Sequence, residues 1–309
     1  MSALGPALPG NWYLLGPSSR LKPGAARSFD VGGTALVVWR GMSGTVQAFA
    51  AHCAHMGCHL GGALVVGDTL RCPLHHRLIG PDGAFRHAGG QALAQPAFPV
   101  RDHLGCLFVA VGNVGAEGPV EIDRAAFSTC YAGEHHFPLA WQVLVANGFD
   151  VEHLASVHQR QLVEPPDLTE LGERRIRLRY RTRPTGQSLG DRVMGWLAAD
   201  GVRGTISCFS GTTMLVESAV GKRRAFILLS FVPGGDGSTT IRGIVGVKAR
   251  SKYVGWLAVR VAALLFKSFL AKDLGVLDRL EWHEPAPSPA LGDRFTRQLC
   301  EYFRTLADA

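Results

Sequence analysis

The sequence predicts an α+β chain of two domains. An all-β domain covers residues 1–120, and a curved antiparallel sheet gripping a long helix covers residues 121–309. Three observations predict this. Short apolar runs between Trp12 and Gly112 are punctuated by Gly, Pro and Asp, the texture of strands joined by tight turns. The stretch from Gly112 to Glu121 reads as a linker, after which the texture changes. Strand-length segments then lead into one long apolar helical run and a terminal amphipathic helix.

In chain order, TALVVWR (Thr34 to Arg40), TVQAFAA (Thr45 to Ala51) and CLFVAVG (Cys106 to Gly112) read as strands, and GPDG (Gly80 to Gly83) reads as a turn. A helical run is expected over roughly Trp141 to His158. RIRLRYR, GTTMLVES, RAFILLSFV and TTIRGIVGVK follow as strands. A helix is expected near Tyr253 to Leu280. Its most apolar part, Val254 to Phe266, is too short to span a bilayer and carries Arg260, so it reads as a buried or interfacial helix. From Leu291 to Ala307, Phe295, Leu299, Tyr302, Phe303 and Leu306 form one stripe.

The chain of 309 residues is 47% hydrophobic and 18% charged, which excludes a disordered protein and allows real cores. A net charge of +7 admits nucleic acid, a membrane surface or an acidic protein as partner. The densest basic cluster, Gly172 to Pro184, alternates Arg with apolar residues, the pattern of a strand with one solvated face. No nucleic-acid partner is therefore expected. The seven cysteines are odd in number and the first residues lack a signal-peptide pattern, so a reduced, cytoplasmic setting with no transmembrane segment is expected.

Two constellations carry chemistry. The first is Cys53-Ala54-His55, then sixteen residues, then Cys72-Pro73-Leu74-His75. A Cys₂His₂ set could hold zinc, but zinc fingers usually pair like with like, and here each arm is mixed. Mixed arms suit a [2Fe–2S] cluster with thiolates on one iron and imidazoles on the other. Gly57, Gly61 and Gly62 would let backbone amides approach the cluster, and Pro73 would stiffen the second tip. The pattern resembles the Rieske iron–sulfur motif. In the oxygenases of that family the second arm continues C-P-x-H-G-W, whereas here His76 and Arg77 follow His75. His76 is thus a neighbouring imidazole, and the spacing favours His75. Cys58 stands where respiratory-type Rieske proteins have one half of a disulfide. Leu74 occupies the other position, so Cys58 is expected to be a small buried residue. His52, His59 and His87 are expected to be loop residues or to support the ligands by hydrogen bonding, not to bind the cluster themselves.

The second constellation is Asp150, His153 and His158 in ANGFDVEHLASVH. Asp150 and His153 are three apart, on one helical face, and a local unwinding would bring His158 to the same point. Two imidazoles with a distant carboxylate make a 2-His-1-carboxylate Fe(II) site. Together with the first motif, D-x2-H-x4-H about 75 residues downstream resembles the catalytic motif of Rieske non-haem iron oxygenases. The resemblance extends over nearly the whole chain and is loosely closest to the steroid ketohydroxylase and sterol desaturase branch. D-x2-V-L at Asp273 resembles the D-x2-I-W of steroid-acting members, with Asp278 as runner-up for the carboxylate.

The resemblance implies a Rieske [2Fe–2S] domain followed by a helix-grip (START/Bet v1-like) catalytic domain. It implies cluster ligands Cys53, His55, Cys72 and His75, and iron ligands His153, His158 and Asp273. Asp150 would be the acid that bridges a Rieske histidine of one subunit to an iron histidine of the next in a homotrimer. Asn147 would approach the open coordination face or pack within its helix. The implied activity is a Rieske monooxygenase that uses O2 to hydroxylate, demethylate or desaturate a bulky apolar substrate such as a steroid or terpenoid. No G-x-G-x-x-G opens a helix, so NAD(P)H electrons would arrive indirectly through a ferredoxin and/or ferredoxin reductase. The alternatives are a Rieske electron carrier with a ligand-binding domain, which is not an enzyme, and a zinc-binding structural protein.

Overall fold

A computed structural model describes residues 8–86, 93–114, 118–172, 174–185, 201–249, 251–277, 280 and 290–306. The chain divides into two compact units, Gly10–Pro119 and the residues within Val120–Pro233 and Gly237–Ala309, with Gly234–Asp236 grouping with the first. His87 and Asp278 lie outside the described residues, as do residues 115–117 of the expected linker.

The first unit is built of three small antiparallel sheets. Strand β1 (Asn11–Pro17) pairs with β11 (Cys106–Val111), which pairs with β10 (Val100–His103). A second sheet runs β2 (Ala26–Val31), β3 (Thr34–Arg40), β4 (Val46–Ala50), β9 (Ala97–Phe98). The third, β5 (Leu64–Val66), β6 (Thr69–Arg71), β7 (Leu78–Ile79) and β8 (Phe85–Arg86), is a run of short hairpins. Val37, Trp39, Phe49, Leu60, Leu70 and Ile79 close a core that also takes in Cys53 and Cys72. Both thiols are therefore anchored from below by apolar packing rather than hung from free loops.

Those thiols open two loops of the same design. In the β4–β5 loop the Cys53 amide donates to the Cys58 carbonyl at 2.8 Å, and the Gly57 amide returns to the Cys53 carbonyl at 2.8 Å. In the β6–β7 loop the Cys72 amide donates to the Arg77 carbonyl at 2.9 Å, and the His76 amide returns to the Cys72 carbonyl at 3.0 Å. The closure requires a left-handed residue four after the cysteine. Gly57 supplies it with φ 73°, and His76 supplies it with φ 55°. Glycine takes this conformation freely and a histidine does not.

The second unit is an eight-stranded antiparallel sheet in the order β12 (Phe127–Phe137), β19 (Thr239–Lys248), β18 (Arg223–Pro233), β17 (Thr213–Val220), β16 (Val202–Phe209), β15 (Arg175–Pro184), β13 (Arg160–Leu162), with β14 (Asp167–Glu170) also on β15. β15 alternates as its sequence predicts, with Ile176 and Leu178 fully buried between the arginines. The register slips in β12 between Tyr131 and Gly133, a bulge that bends this edge strand. On β19, Gly246 lies under the ring of Phe226, which occupies the place a Cβ would take.

Among the described residues, four helices accompany the sheet: α1 (Trp141–Phe149), α2 (Val151–Ser156), α3 (Lys252–Leu277) and α4 (Leu291–Thr305). α3 packs on β12 and β19 through Val259 and Ala263 against Ala132 and Val245. α4 packs on α1, with the Trp141 and Phe303 rings edge to face at 4.9 Å. Its apolar stripe is buried as the sequence predicts, Phe295, Leu299, Tyr302 and Phe303 all being 3% exposed or less. The expected single helical run from Trp141 to His158 is in fact two helices. Asp150 adopts an extended backbone, φ −75° and ψ 104°, and breaks the run. Strands β12, β13, β14 and β16 had no counterpart among the strands read from the sequence.

The left-handed His76 predicts a gain on substitution. His76→Gly should raise folding stability by about 1 kcal/mol, read as a higher thermal midpoint, with no change in the visible spectrum. A lower midpoint would mean that the imidazole makes contacts worth more than its backbone strain.

Candidate cluster and iron sites

The first site lies at the two loop tips. The rings of His55 and His75 meet edge to face at 5.0 Å. His75 is thus the imidazole of the second arm that meets His55. On the other side, the Cys53 and Cys72 thiols are hydrogen-bond partners of each other. The amides of His55 and Met56 donate to the Cys53 sulfur, and those of Leu74 and His75 to the Cys72 sulfur. Burial, the largest effect, together with the adjacent Cys72 thiol holds the Cys53 thiol above its ordinary pKa. At Cys72 burial also acts upward, but the amides of Leu74 and His75 and the thiols of Cys53 and Cys58 outweigh it and hold the thiol below its ordinary value. Two sulfurs and two imidazoles face one another across the loops, with amides aimed at the sulfurs. That donor set fits a [2Fe–2S] cluster.

Cys58 departs from expectation. It is half-buried, not buried, and unbonded in any disulfide. The β4–β5 loop turns back at Gly57 and leaves its side chain near the tip, where its sulfur lies against Cys72 and the Leu74 amide. His59 serves as a loop residue, its Nδ1 accepting the Gly61 amide at 3.1 Å, and its ring meets that of His52 at 5.2 Å.

One positioning residue was not legible in the sequence. Gln95, 2% exposed, accepts the Ala54 amide at 2.8 Å and donates to the carbonyls of Ala50 at 2.8 Å and His52 at 2.9 Å. It clamps the first loop on both sides of Cys53. Nothing in its surroundings, QALAQPAF, marks it as special.

The second site joins α2, the turn after it, and α3. His153, His158 and Asp273 are buried, and one ligand atom of each lies within 4.8 Å of the others. The two Nε2 atoms are 3.1 Å apart, and each is 2.8 Å from Asp273 Oδ1. The expected unwinding after His153 is present: α2 ends at Ser156, and Gln159 is left-handed at φ 52°. Burial pushes the Asp273 carboxyl upward, but the two imidazoles beside it outweigh burial and keep it below the usual carboxylate range. An ionised carboxylate and two imidazoles converging on one point fit a divalent cation, and N,N,O is the facial set suited to Fe(II).

Asp150 is not on a shared helical face with His153, as the spacing had predicted. It is the N-cap of α2. Its Oδ1 accepts the amides of Glu152 at 2.9 Å and His153 at 3.2 Å, and so fixes where the histidine helix begins. Its Oδ2 has no partner among the described residues. Asn147 is half-buried near the end of α1, and its carbonyl accepts the Asp150 amide at 3.4 Å. Among the described residues, its side chain has no hydrogen bond to the triad. A cavity of about 460 Å³ lies between α2 and β13, lined by Val151, Glu152, Ala155 and Arg160 among others.

The profile of the Rieske [2Fe-2S] domain matches residues 11–99. Among characterised proteins, the chain is 29% identical over 185 residues to a cholesterol 7-desaturase of Bombyx mori, covering 56% of this chain and 39% of that one. It is 38% identical over 179 residues to the Xenopus laevis protein of the same description, covering 53% and 39%. It is 38% identical over 72 residues to the oxygenase component of a 3-ketosteroid-9-alpha-monooxygenase of Mycolicibacterium smegmatis, covering 23% and 19%. The match thus spans at most 39% of these relatives' own length. Among solved structures, dicamba monooxygenase bound to 3,6-dichlorosalicylic acid aligns over 98% of both chains with a TM-score of 0.74 at 17% identity. Pseudomonas putida CBB5 NdmA with caffeine aligns over 95% of this chain and 89% of that one with a TM-score of 0.71 at 15% identity. At such identities the likeness is one of fold. Residues 11–99 are therefore a Rieske [2Fe–2S] domain, and the chain as a whole has the fold of the Rieske oxygenases.

Proposed function

We propose that this chain is the oxygenase component of a Rieske non-haem iron monooxygenase acting on a bulky apolar substrate of the steroid or terpenoid class. One observation carries the reading. The chain that holds the Rieske domain also brings His153, His158 and Asp273 together, buried, as a set that could hold a metal ion. An electron carrier has no use for that triad. The curated relatives named for cholesterol and 3-ketosteroids support the substrate class.

In this reading Cys53, His55, Cys72 and His75 hold the cluster, and His153, His158 and Asp273 hold the iron. The bound groups supply single-electron transfer and activation of dioxygen. The chain's own residues prepare for this. Burial keeps water away from the triad, and the ionised Asp273 offsets the charge of a divalent cation. NAD(P)H electrons arrive through a separate ferredoxin or ferredoxin reductase, whose acidic surface would suit the net charge of +7. The functional unit is a homotrimer, in which the unpartnered Oδ2 of Asp150 accepts from a cluster histidine of the neighbouring subunit. Asp150 would then hold the start of the histidine helix with one oxygen and orient an imidazole of the other site with its second.

Metal analysis is the first test, since the reading requires three irons per chain and a carrier would contain two. Cys72→Ser should bleach the visible absorption and remove the EPR signal of the reduced protein. If both persist there but are lost in His76→Ala, the second arm has been misread.

Asp273→Ala should lose one iron and all turnover of a steroid substrate while the colour stays. Retained turnover in that variant, with loss in Asp278→Ala, would move the carboxylate to Asp278.

Asp150→Asn separates capping from bridging. Asn is as good an N-cap as Asp, so the fold and three irons should survive. The lost charge should slow reoxidation of the pre-reduced protein by substrate and dioxygen by about tenfold or more, a loss of at least ~1.4 kcal/mol in the electron-transfer step. Wild-type single-turnover rates, or full activity in a monomer, would leave Asp150 as a cap alone.

A further inference from the structure

The helix that carries Asp273 is apolar on both sides. Its inner side, with Val259, Ala263, Leu270 and Leu277, is buried in the second unit. Its outer side over the first half is exposed: Tyr253, Val254, Leu257, Val261, Leu264 and Leu265 are 48–90% accessible. Residues spaced 253, 257, 261 and 264 fall on one stripe, so these side chains form a continuous patch and not scattered singles. A helix apolar all round is normally covered all round.

The exposed charged residues of the helix itself beside this patch, Arg260 and Lys267, are both basic. Along Lys252–Leu277 the basic residues are Lys252, Arg260, Lys267 and Lys272, and the one acid, Asp273, is buried in the triad. Arg260 and Lys267 are exposed beside the patch, and the Arg260 guanidinium lies over the Trp256 ring at 4.3 Å. The end of the sheet from which α3 departs adds exposed Lys222, Arg223 and Arg224 on the β17–β18 turn and exposed Lys248 at the end of β19.

We infer that the outer face of α3 is a docking surface for an anionic lipid bilayer, with the helix lying in the plane of the membrane interface. Tyr253 and Trp256 have the amphipathic rings favoured at headgroup depth, Leu257, Val261, Leu264 and Leu265 enter the acyl boundary, and the flanking cations meet anionic headgroups. Among the described residues no helix is long and apolar enough to cross a membrane, so this is attachment and not insertion. A two-fold contact with a second copy fits less well, because it would bring this surface, with its exposed Arg260 and Lys267, against an identical basic one. The inference goes beyond the proposed oxidation chemistry and holds whether or not the iron assignment does.

The test is flotation of the full-length, cluster-containing protein with vesicles of phosphatidylcholine alone or mixed with phosphatidylglycerol. The expected result is binding to the mixed vesicles, weakened about tenfold by 0.5 M salt or by omission of the anionic lipid. Leu257→Glu with Leu264→Glu should abolish flotation while the thermal midpoint, the visible spectrum and the mass by light scattering stay as in the wild type. If that variant does not fold, Arg260→Ser with Lys267→Ser should still lose the preference for anionic vesicles. Wild-type protein that floats with neither vesicle would overturn the inference. So would a Leu257→Glu, Leu264→Glu protein of smaller assembled mass, which would make the face a contact between copies of the chain.

Discussion

The buried carboxylate of Asp273 is the constraint on which the second unit turns. Removing a carboxylate from water costs several kcal/mol unless partners replace its hydration. Its partners here are His153 and His158, both 2.8 Å from one oxygen. For that to happen α3 must sit at one rotation and one height. Val259, Ala263, Leu270, Asp273 and Leu277 are spaced three, four or seven apart, so the contacts that seat the helix also aim the carboxylate. The histidines are held as tightly from their own side. Asp150 stops α1 and begins α2 by accepting two amides at Oδ1, and the chain turns out of α2 before His158, with Gln159 left-handed.

The first unit meets a related demand by different means. Loops that carry metal-binding side chains must be precise without a helix to stiffen them. Two repeated backbone hydrogen bonds per loop do part of this, and a core that includes Cys53 and Cys72 does more. The loops are not equally comfortable. The left-handed position falls on Gly57 in one and on His76 in the other. Gln95 then braces the first loop from a distant stretch of chain through three hydrogen bonds of its side chain. The amide donors that reach the cysteine sulfurs come from each His and one residue beside it, Met56 after His55 and Leu74 before His75, so the short C-x-H and C-x2-H spacings fix both the donor atoms and the amides that hold the sulfurs.

What could be read from the sequence follows from how local each determinant is. Strand β3 appears with the bounds its run of apolar residues predicted, and β19 with those its β-branched, alternating pattern predicted, because both have clear ends. The strands left unread are those whose burial comes from neighbours. β12 carries Cys130, a bulge at Gly133 and paired histidines, and it takes its place from pairing with β19. β16 contains Gly204, against which the ring of Tyr180 packs, a reason invisible in one strand alone. At the sites, the motif spacings named the residues that converge. They could not show that Asp150 is a cap, since D-x-x-H is equally consistent with a helical face and with an N-terminus. They gave no hint of Gln95, whose role depends wholly on contacts more than forty residues away.

The long helix shows the same limit in another form. Its sequence is apolar around most of its circumference, and a linear reading could say only that it is buried or interfacial. The structure divides the two possibilities between its two sides. The inner residues are explained by the sheet and by Asp273, and exchanging them for polar ones would leave cavities or unpaired groups in the core. The outer residues contribute little to folding, because side chains exposed to this degree usually alter stability by about 0.5 kcal/mol or less. An apolar face that the fold does not need still has a cost in water, since it invites association with any other apolar surface. Six such residues, with exposed Arg260 and Lys267 beside them, therefore cannot be accounted for by the chain's own packing, and their explanation has to be sought in what the helix meets outside it.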